Sequence, residues 1–329
     1  MADRTPLPDH ADLPVVEGAP PGSSWGLWGE GDRLGCLNLL TPERVVEAAR
    51  LVQTGAVFPL DAPLDVVDPP MFGRVPMQHT VTGEGDPASI FHDDVLDGWN
   101  TQASTQWDGF RHIPHPVHRF YGGLDEKDHG VDHWAERGIV GRGVLADVGR
   151  WLEADGRPLA LDQPVPIDPE DVVHCLADEG VESEPGDVLL VRTGWLGWYR
   201  ARSAEEKAAM AEQHANPGLR PGMATARTLW DLHIAAVAAD NPAVEVWPPG
   251  ALSSPEDLQA AMEDRSTMPE IFVHTALIPL LGIPLGEFFV LDALAEDCAR
   301  DGRYTFLFTS SPLHLTRGVA SPPNALAIK

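Results

Sequence analysis

The chain has 329 residues and is 43% hydrophobic, long enough for one large domain or two ordinary ones and too apolar for a disordered protein. Fifty acidic side chains against 23 basic ones leave a net charge of −27. That surface repels phosphate backbones and anionic bilayers, so nucleic acid and membrane are excluded as partners.

In chain order, residues 1–24 read as an irregular, proline-rich arm with no apolar signal region, and residues 25–329 as a single domain without repeats or linkers. Three scattered cysteines, Cys36, Cys175 and Cys298, with no CxxC pair, fit neither a disulfide framework nor a thiolate metal site. Together these features point to the cytoplasm. Thr41 can cap a helix that Pro42 opens and that runs to about Gln53, before Gly55 stops it. Residues 60–100, rich in Pro, Gly and Asp, offer only short strand candidates. GVLADV at 143–148, DVLLVRTGW at 187–195, IAAVAAD at 234–240 and YTFLFTS at 304–310 read as strands. Helices are expected from Asp168-Pro169 to near Gly180, over 204–215 and over 223–233. The apolar tract HTALIPLLGIPLGEFFVLDAL is broken by Pro279, Pro284 and Glu287, which makes it buried core and not a membrane span. Strands outnumber long helices and are not regularly followed by them, so a plain doubly wound sheet is not expected.

Two motif matches lack their structural context. Gly22-Ser23-Ser24-Trp25-Gly26 has the G-x-S-x-G spacing, but no strand precedes it and no helix follows. Gly141-Arg142-Gly143-Val144-Leu145-Ala146 has the G-x-G-x-x-A spacing, but its apolar strand comes after the glycines instead of before them.

One constellation carries chemistry. Gln102, Gln106, Asp108 and His112 in STQWDGFRH and its approach are separated by even numbers, so an extended chain points them one way. Downstream lie His274 and Glu287, a carboxylate in an apolar stretch where burial without a partner is costly. Two carboxylates and an imidazole can hold one divalent ion, and His112 can move a proton. The plainer reading keeps His274 as a hydrogen-bonded core histidine, Trp107 as core and Asp108-Gly109 as a turn.

The same stretch resembles the hallmark H-x-G-T-H-x-D-x-P-x-H of the putative cyclase family, whose characterised members include bacterial kynurenine formamidase and isatin hydrolase. Thr105, Asp108 and His112 match; Gln102 and Gln106 replace two histidines, Ser104 a glycine and Phe110 a proline. Further matching blocks are WGEGDRLGCLNLLTPERVVEAARLV, GRGVLADV, PGDVLLVRTGW, AADNPAVEVWP, HTALIPLLGIPLGE and SPPNALAI. The resemblance implies a single α/β domain with a mixed, largely antiparallel, barrel-like sheet flanked by helices, and a homodimer or homotetramer in which the N-terminal arm could be exchanged between subunits. It implies a hydrolase acting on the carbon–nitrogen bond of an amide or cyclic amide, or on a lactone, by attack of metal-activated water. In that scheme Asp108, His274 and Glu287, assisted by Gln106, hold at most one metal, Mn²⁺ first and Zn²⁺ second, and His112 is the acid–base group. Amide oxygens in place of imidazoles suit harder ions and leave a metal-free site open as well. Gln102, Trp107, Phe110, Arg111, His115 and Tyr121 are the candidates for contact with a small organic substrate. His115 and His118 could also replace lost ligands, and His92-Asp93-Asp94 reads as a solvated loop. A metal-free lyase using Asp108 and His112, and a non-catalytic ligand-binding descendant, are the alternatives.

Overall fold

The computed structural model describes residues 7–329. Its strands are β1 (Val57–Pro59), β2 (Gln78–Thr82), β3 (Asp93–Asp97), β4 (Gln106–Asp108), β5 (Ile139–Ala146), β6 (Pro166–Ile167), β7 (Val188–Val191), β8 (Gly218–Leu219), β9 (Ala236–Ala239), β10 (Leu285–Glu287), β11 (Thr305–Ser310), β12 (Ala320–Ser321) and β13 (Ala325–Ile328). Nine of them form one curled sheet in the order β1-β13-β11-β5-β7-β9-β10-β4-β12. The fold is a single α/β domain in which helices flank this mixed sheet.

Five of the eight strand pairings are antiparallel, but β5, β7, β9 and β10 run parallel at the centre. This centre departs from the expected pattern, because its strands are joined by helical crossovers. Helices Val148–Ala154 and Pro169–Asp178 lie between β5 and β7, and Trp195–Arg200, Ala204–Glu212 and Met223–Asp231 lie between β7 and β9. These helices have only 6–10 residues each, which hides the β–α rhythm in the sequence. Every residue of β7 and β9 is buried, as strands covered on both faces must be.

The sequence signals act locally as expected. Thr41 Oγ1 accepts from the Arg44 amide, and Pro42 opens the helix, which ends at Ala49, earlier than Gln53. Pro169 likewise opens its helix, and Gly180 follows its end with φ of 71°. The glycines of Gly141-Arg142-Gly143 sit inside β5. A Cβ on Gly143 would meet Phe306 Cε2 at 2.2 Å, so the glycine admits an aromatic ring from the neighbouring strand. Residues 274–289 are buried throughout and contain a short helix, a turn and β10. Among the described residues no helix is long and apolar enough to cross a membrane.

Residues 1–6 of the N-terminal arm lie outside the described residues. The remainder packs on its own chain: the His10 amide donates to Asp231 Oδ1 (2.7 Å), Trp230 Nε1 to the Pro8 carbonyl (2.9 Å) and Ser24 Oγ to the Leu281 carbonyl (2.9 Å). The two remaining pairs are minor. Strands β6 and β8 form a small parallel pair, and β2 and β3 a hairpin that stands apart from the large sheet.

Candidate active site

Strand register builds the floor of the site. Strands β4 and β10 pair antiparallel, with Asp108 opposite Leu285, Trp107 opposite Gly286 and Gln106 opposite Glu287. Alternation then puts Gln106, Asp108 and Glu287 on one face and Trp107 on the other. Gln106 Nε2 donates to Glu287 Oε2 at 2.5 Å. Thr105, the residue before β4, fixes this edge: its Oγ1 donates to the Phe288 carbonyl (2.7 Å) and accepts from the Ala62 amide (2.8 Å). After β4 the chain turns at Gly109, whose amide donates to the Val319 carbonyl. A Cβ there would lie 2.6 Å from that oxygen, so the close approach requires glycine.

His274 starts the helix His274–Leu277 and meets this floor from the side. Asp108, His274 and Glu287 are all buried, and one ligand atom from each lies within 4.8 Å of the others. Behind His274 sits Glu245, fully buried. Its carboxylate accepts from the Val273 amide (2.8 Å), the His274 amide (3.1 Å) and His274 Nδ1 (2.5 Å). The ring donates from Nδ1 to Glu245 and turns Nε2 to Glu287 Oε1, 3.4 Å away. A carboxylate behind a histidine in this way sets the ring's orientation and raises its basicity. Burial alone would lower the His274 pKa, but the two carboxylates outweigh it and hold the ring well above its ordinary value. Burial pushes the Glu287 carboxyl up, and neighbouring Asp108 adds to the rise.

Gln102 and His112 arrive from turns on either side of β4. Gln102 Nε2 donates to His112 Nδ1 (2.7 Å) and to Asp108 Oδ1 (3.2 Å), while His112 Nε2 lies 3.7 Å from Asp108 Oδ2. Burial lowers the His112 pKa. Asp108 opposes that shift, and His274 and Arg74 reinforce it.

The donor set fits a divalent cation. Among the described residues, Gln106 Oε1 and Asp108 Oδ2 are buried acceptors with no hydrogen-bond partner. Asp108, His274 and Glu287 bring their ligand atoms within 4.8 Å of one another, an oxygen-rich set with one imidazole that suits a hard or borderline ion, which would displace the proton from His274 Nε2. Backbone strain borders the same spot. Val244 (φ 57°) precedes Glu245 and Phe288 (φ 56°) follows Glu287, conformations that bulky residues rarely adopt outside functional sites.

The structure places the other candidates away from this cluster. Trp107 is fully buried, packs edge-on to Phe289 (5.1 Å) and donates from Nε1 to Ser310 Oγ (3.0 Å). Phe110 and Tyr121 are core residues with ring centroids 4.7 Å apart, and the Tyr121 hydroxyl donates to Asp32 Oδ2. Arg111 is engaged within the chain by Glu126 (2.7 Å) and the Arg317 carbonyl. His115 Nδ1 accepts from the Val117 and His118 amides. His115 and His118 line a separate cleft of about 710 Å³ with His10 and Arg227, to which none of the cluster residues contributes. His92, Asp93 and Asp94 are exposed, as expected, but Asp93 and Asp94 open strand β3 instead of lying in a loop.

Two residues of the site were not singled out from the sequence. Glu245, in AVEVWP, carries the signal that marked Glu287: a carboxylate inside an apolar run. Arg74 carries none. It is a lone arginine in a loop, yet its guanidinium donates to the Gln102 carbonyl and feels the charges of Glu287 and Asp108.

Comparison with known proteins agrees with the architecture. The sequence signature described as putative cyclase matches residues 60–246. A solved structure described as a novel cyclase is 32% identical, covers 93% of this chain and 99% of its own, and superposes with a TM-score of 0.76. Isatin hydrolase A from Labrenzia aggregata, solved with benzyl benzoate, is 19% identical, covers 87% of this chain and 97% of its own, and gives 0.56. An isatin hydrolase bound to the product analogue thioisatinate is 15% identical, covers 88% and 98%, and gives 0.57. These last two share the fold. No curated protein matches the sequence. The signature spans more than half of the chain and the 32% identical structure nearly all of it, and on both grounds the chain belongs to the putative cyclase family.

Proposed function

We propose that the chain is a hydrolase of a small organic amide, cyclic amide or lactone, with one divalent cation, Mn²⁺ ahead of Zn²⁺, held by Asp108, His274 and Glu287 with Gln106 assisting. The observation that carries this reading is the buried group Asp108, His274 and Glu287, whose ligand atoms lie within 4.8 Å of one another, beside Gln106 Oε1 and Asp108 Oδ2, which have no hydrogen-bond partner among the described residues. A bound cation supplies polarisation of the scissile carbonyl and acidification of water. The protein does the rest. Glu245 holds the His274 ring, Gln106 holds Glu287, and Asp108 stands beside His112. His112 takes a proton from the attacking water and returns it to the leaving nitrogen or oxygen. The isatin hydrolases with this fold make a cyclic amide the first compound to try.

The test is calorimetric titration of the chelator-treated protein with Mn²⁺ and Zn²⁺, followed by a panel of amides, lactams and lactones that includes isatin. His112→Ala should lower turnover by about 10²–10⁴-fold. Near-full activity of that variant removes its role, and silence across the panel with cation bound removes the hydrolase reading. A second reading has one specific support: the Gln102 amide links Asp108 and His112 into one hydrogen-bonded acid–base group. This would be a lyase, and full activity in chelator would favour it.

A further inference from the structure

A cation reaches the site from outside the cluster. The loop before the β2–β3 hairpin finishes at Arg74, and the segment after the hairpin begins its approach to β4 at Gln102. The Arg74 guanidinium donates to the Gln102 carbonyl and so closes the root of this excursion. That bond uses one nitrogen of the fork. Among the described residues Arg74 forms no ion pair, although its charge is felt by Glu287, His112 and His214. The side chain is half-buried, so it has given up part of its water without gaining a counter-ion. A guanidinium in that state suits an incoming carboxylate, which it can hold through two parallel hydrogen bonds.

Beside Arg74 stands a corner of three rings, each half-buried. Phe72 meets His214 at 4.7 Å and Trp247 at 4.9 Å, both edge-on, while His214 and Trp247 lie parallel with centroids 5.6 Å apart. The Arg74 guanidinium lies 4.7 Å from the Phe72 centroid. Phe72 and Gly73 are consecutive left-handed residues, at φ of 61° and 68°. For a phenylalanine this conformation is strained and persists only where its surroundings enforce it. Three links tie the corner to the cluster. Trp247 stands two residues beyond Glu245, which holds His274, and its backbone exchanges hydrogen bonds with Asn216 (3.2 and 3.3 Å). Phe72 packs on the core group that contains Phe288, the neighbour of Glu287. Arg74 reaches Gln102, whose side chain bonds Asp108 and His112. Flat apolar surface left open beside a few polar groups is the make-up of a small-molecule pocket.

We propose that these four residues form the specificity pocket: Phe72, His214 and Trp247 take the flat ring of the substrate, and Arg74 takes a carboxylate carried on that ring. The substrate class narrows to an aromatic or heteroaromatic acid that bears the amide or lactone to be opened. With a net charge of −27 the surface as a whole repels such an acid, so a cation at the site has to select for it. The assignment rests on the hydrolase reading for the bond that breaks, but its own content is recognition, which binding measures without turnover.

The experiment is calorimetric titration of the full-length protein with acetanilide, with its ortho, meta and para carboxylates, the acetamidobenzoates, and with acetylglycinate, which has the carboxylate and no ring. At least one acetamidobenzoate should bind the wild type about 10–100-fold more tightly than acetanilide, the size expected of one charged hydrogen-bonded contact. Arg74→Met should remove that preference, and Arg74→Lys should keep part of it. Trp247→Leu should weaken the acetamidobenzoate toward the level of acetylglycinate. With an acid from the panel that is turned over, Arg74→Met should raise KM more than it lowers kcat. Acetanilide binding as tightly as all three acids overturns the proposal, and so does binding of none of these compounds or a preference that survives in Arg74→Met. Should Arg74→Met fail to fold, an undiminished preference in Arg74→Lys, which offers no bidentate fork, overturns it. Acid preference without turnover of any panel compound would remove the hydrolase reading and leave the pocket standing; turnover without acid preference would do the reverse.

Discussion

Two short antiparallel pairs, β4 with β10 and β2 with β3, have the same backbone pattern and opposite fates. Every residue of β4 and β10 is buried, whereas β3 is exposed along its whole length and β2 at four of its five positions. Both carry carboxylates. On β3 Asp93, Asp94 and Asp97 stand in water, and Asp94 reaches only the exposed His79, at 2.7 Å, a pair worth little. On β4 and β10 Asp108 and Glu287 have left water, so each must find a partner, a proton or a cation. Burial, more than pairing, turns a strand's acidic residue into a reagent.

That contrast can be broken from several sides. The largest effect is expected behind the floor, where Glu245→Gln removes the charge that orients His274; affinity for Mn²⁺ measured by calorimetry should drop about 10–100-fold, and unchanged affinity would show that Glu245 is only structural. Next comes packing under the site. In Gly286→Ala the new methyl would lie 2.6 Å from Ala238 Cβ and Phe289 Cε2 and 2.8 Å from Trp107 Cζ3. Overpacking of this kind should cost about 1–3 kcal/mol in urea unfolding. A graded effect comes from buried carboxylates elsewhere in the body. Burial pushes Glu179 up to about 8 and Asp187 up to about 7. Each folded value lies above the unfolded one, so the stabilisation is full below about pH 4 and is lost as pH rises to about 8. Urea midpoints should therefore fall between pH 5 and pH 8, and a flat profile would mean that these groups are better solvated than they look. The smallest effect belongs to the hairpin. Phe91→Ser removes a ring that is 67% exposed and should change stability by less than about 0.5 kcal/mol. A larger loss would mean that something covers the hairpin in solution.

How far the sequence reaches follows the same division. Local signals read true at the caps Thr41-Pro42 and Asp168-Pro169 and in the apolar strands β7, β9 and β11, because caps and buried strands are written in adjacent residues. Even spacing grouped Gln102, Gln106, Asp108 and His112, yet only Gln106 and Asp108 owe their shared face to a strand; turns deliver the other two. His274 and Glu287 meet because a four-residue helix and a turn fold back into β10, geometry that a 13-residue separation does not reveal. The reading of Trp107, Phe110, Arg111, His115 and Tyr121 as substrate contacts rested on nearness in sequence. Reversal at Gly109 and alternation across β4 turned these side chains to the core or to partners of their own. Arg74 stayed hidden because its meaning lies in where a loop is aimed.

The clasp between Arg74 and the Gln102 carbonyl also makes the intervening stretch a cassette. Both of its ends return to one point, and between them the hairpin leans on no strand of the main sheet. Tips of different length or composition can be spliced in at that root while the scaffold behind it stays as it is. Grafting such tips would leave the residues of the site where they are.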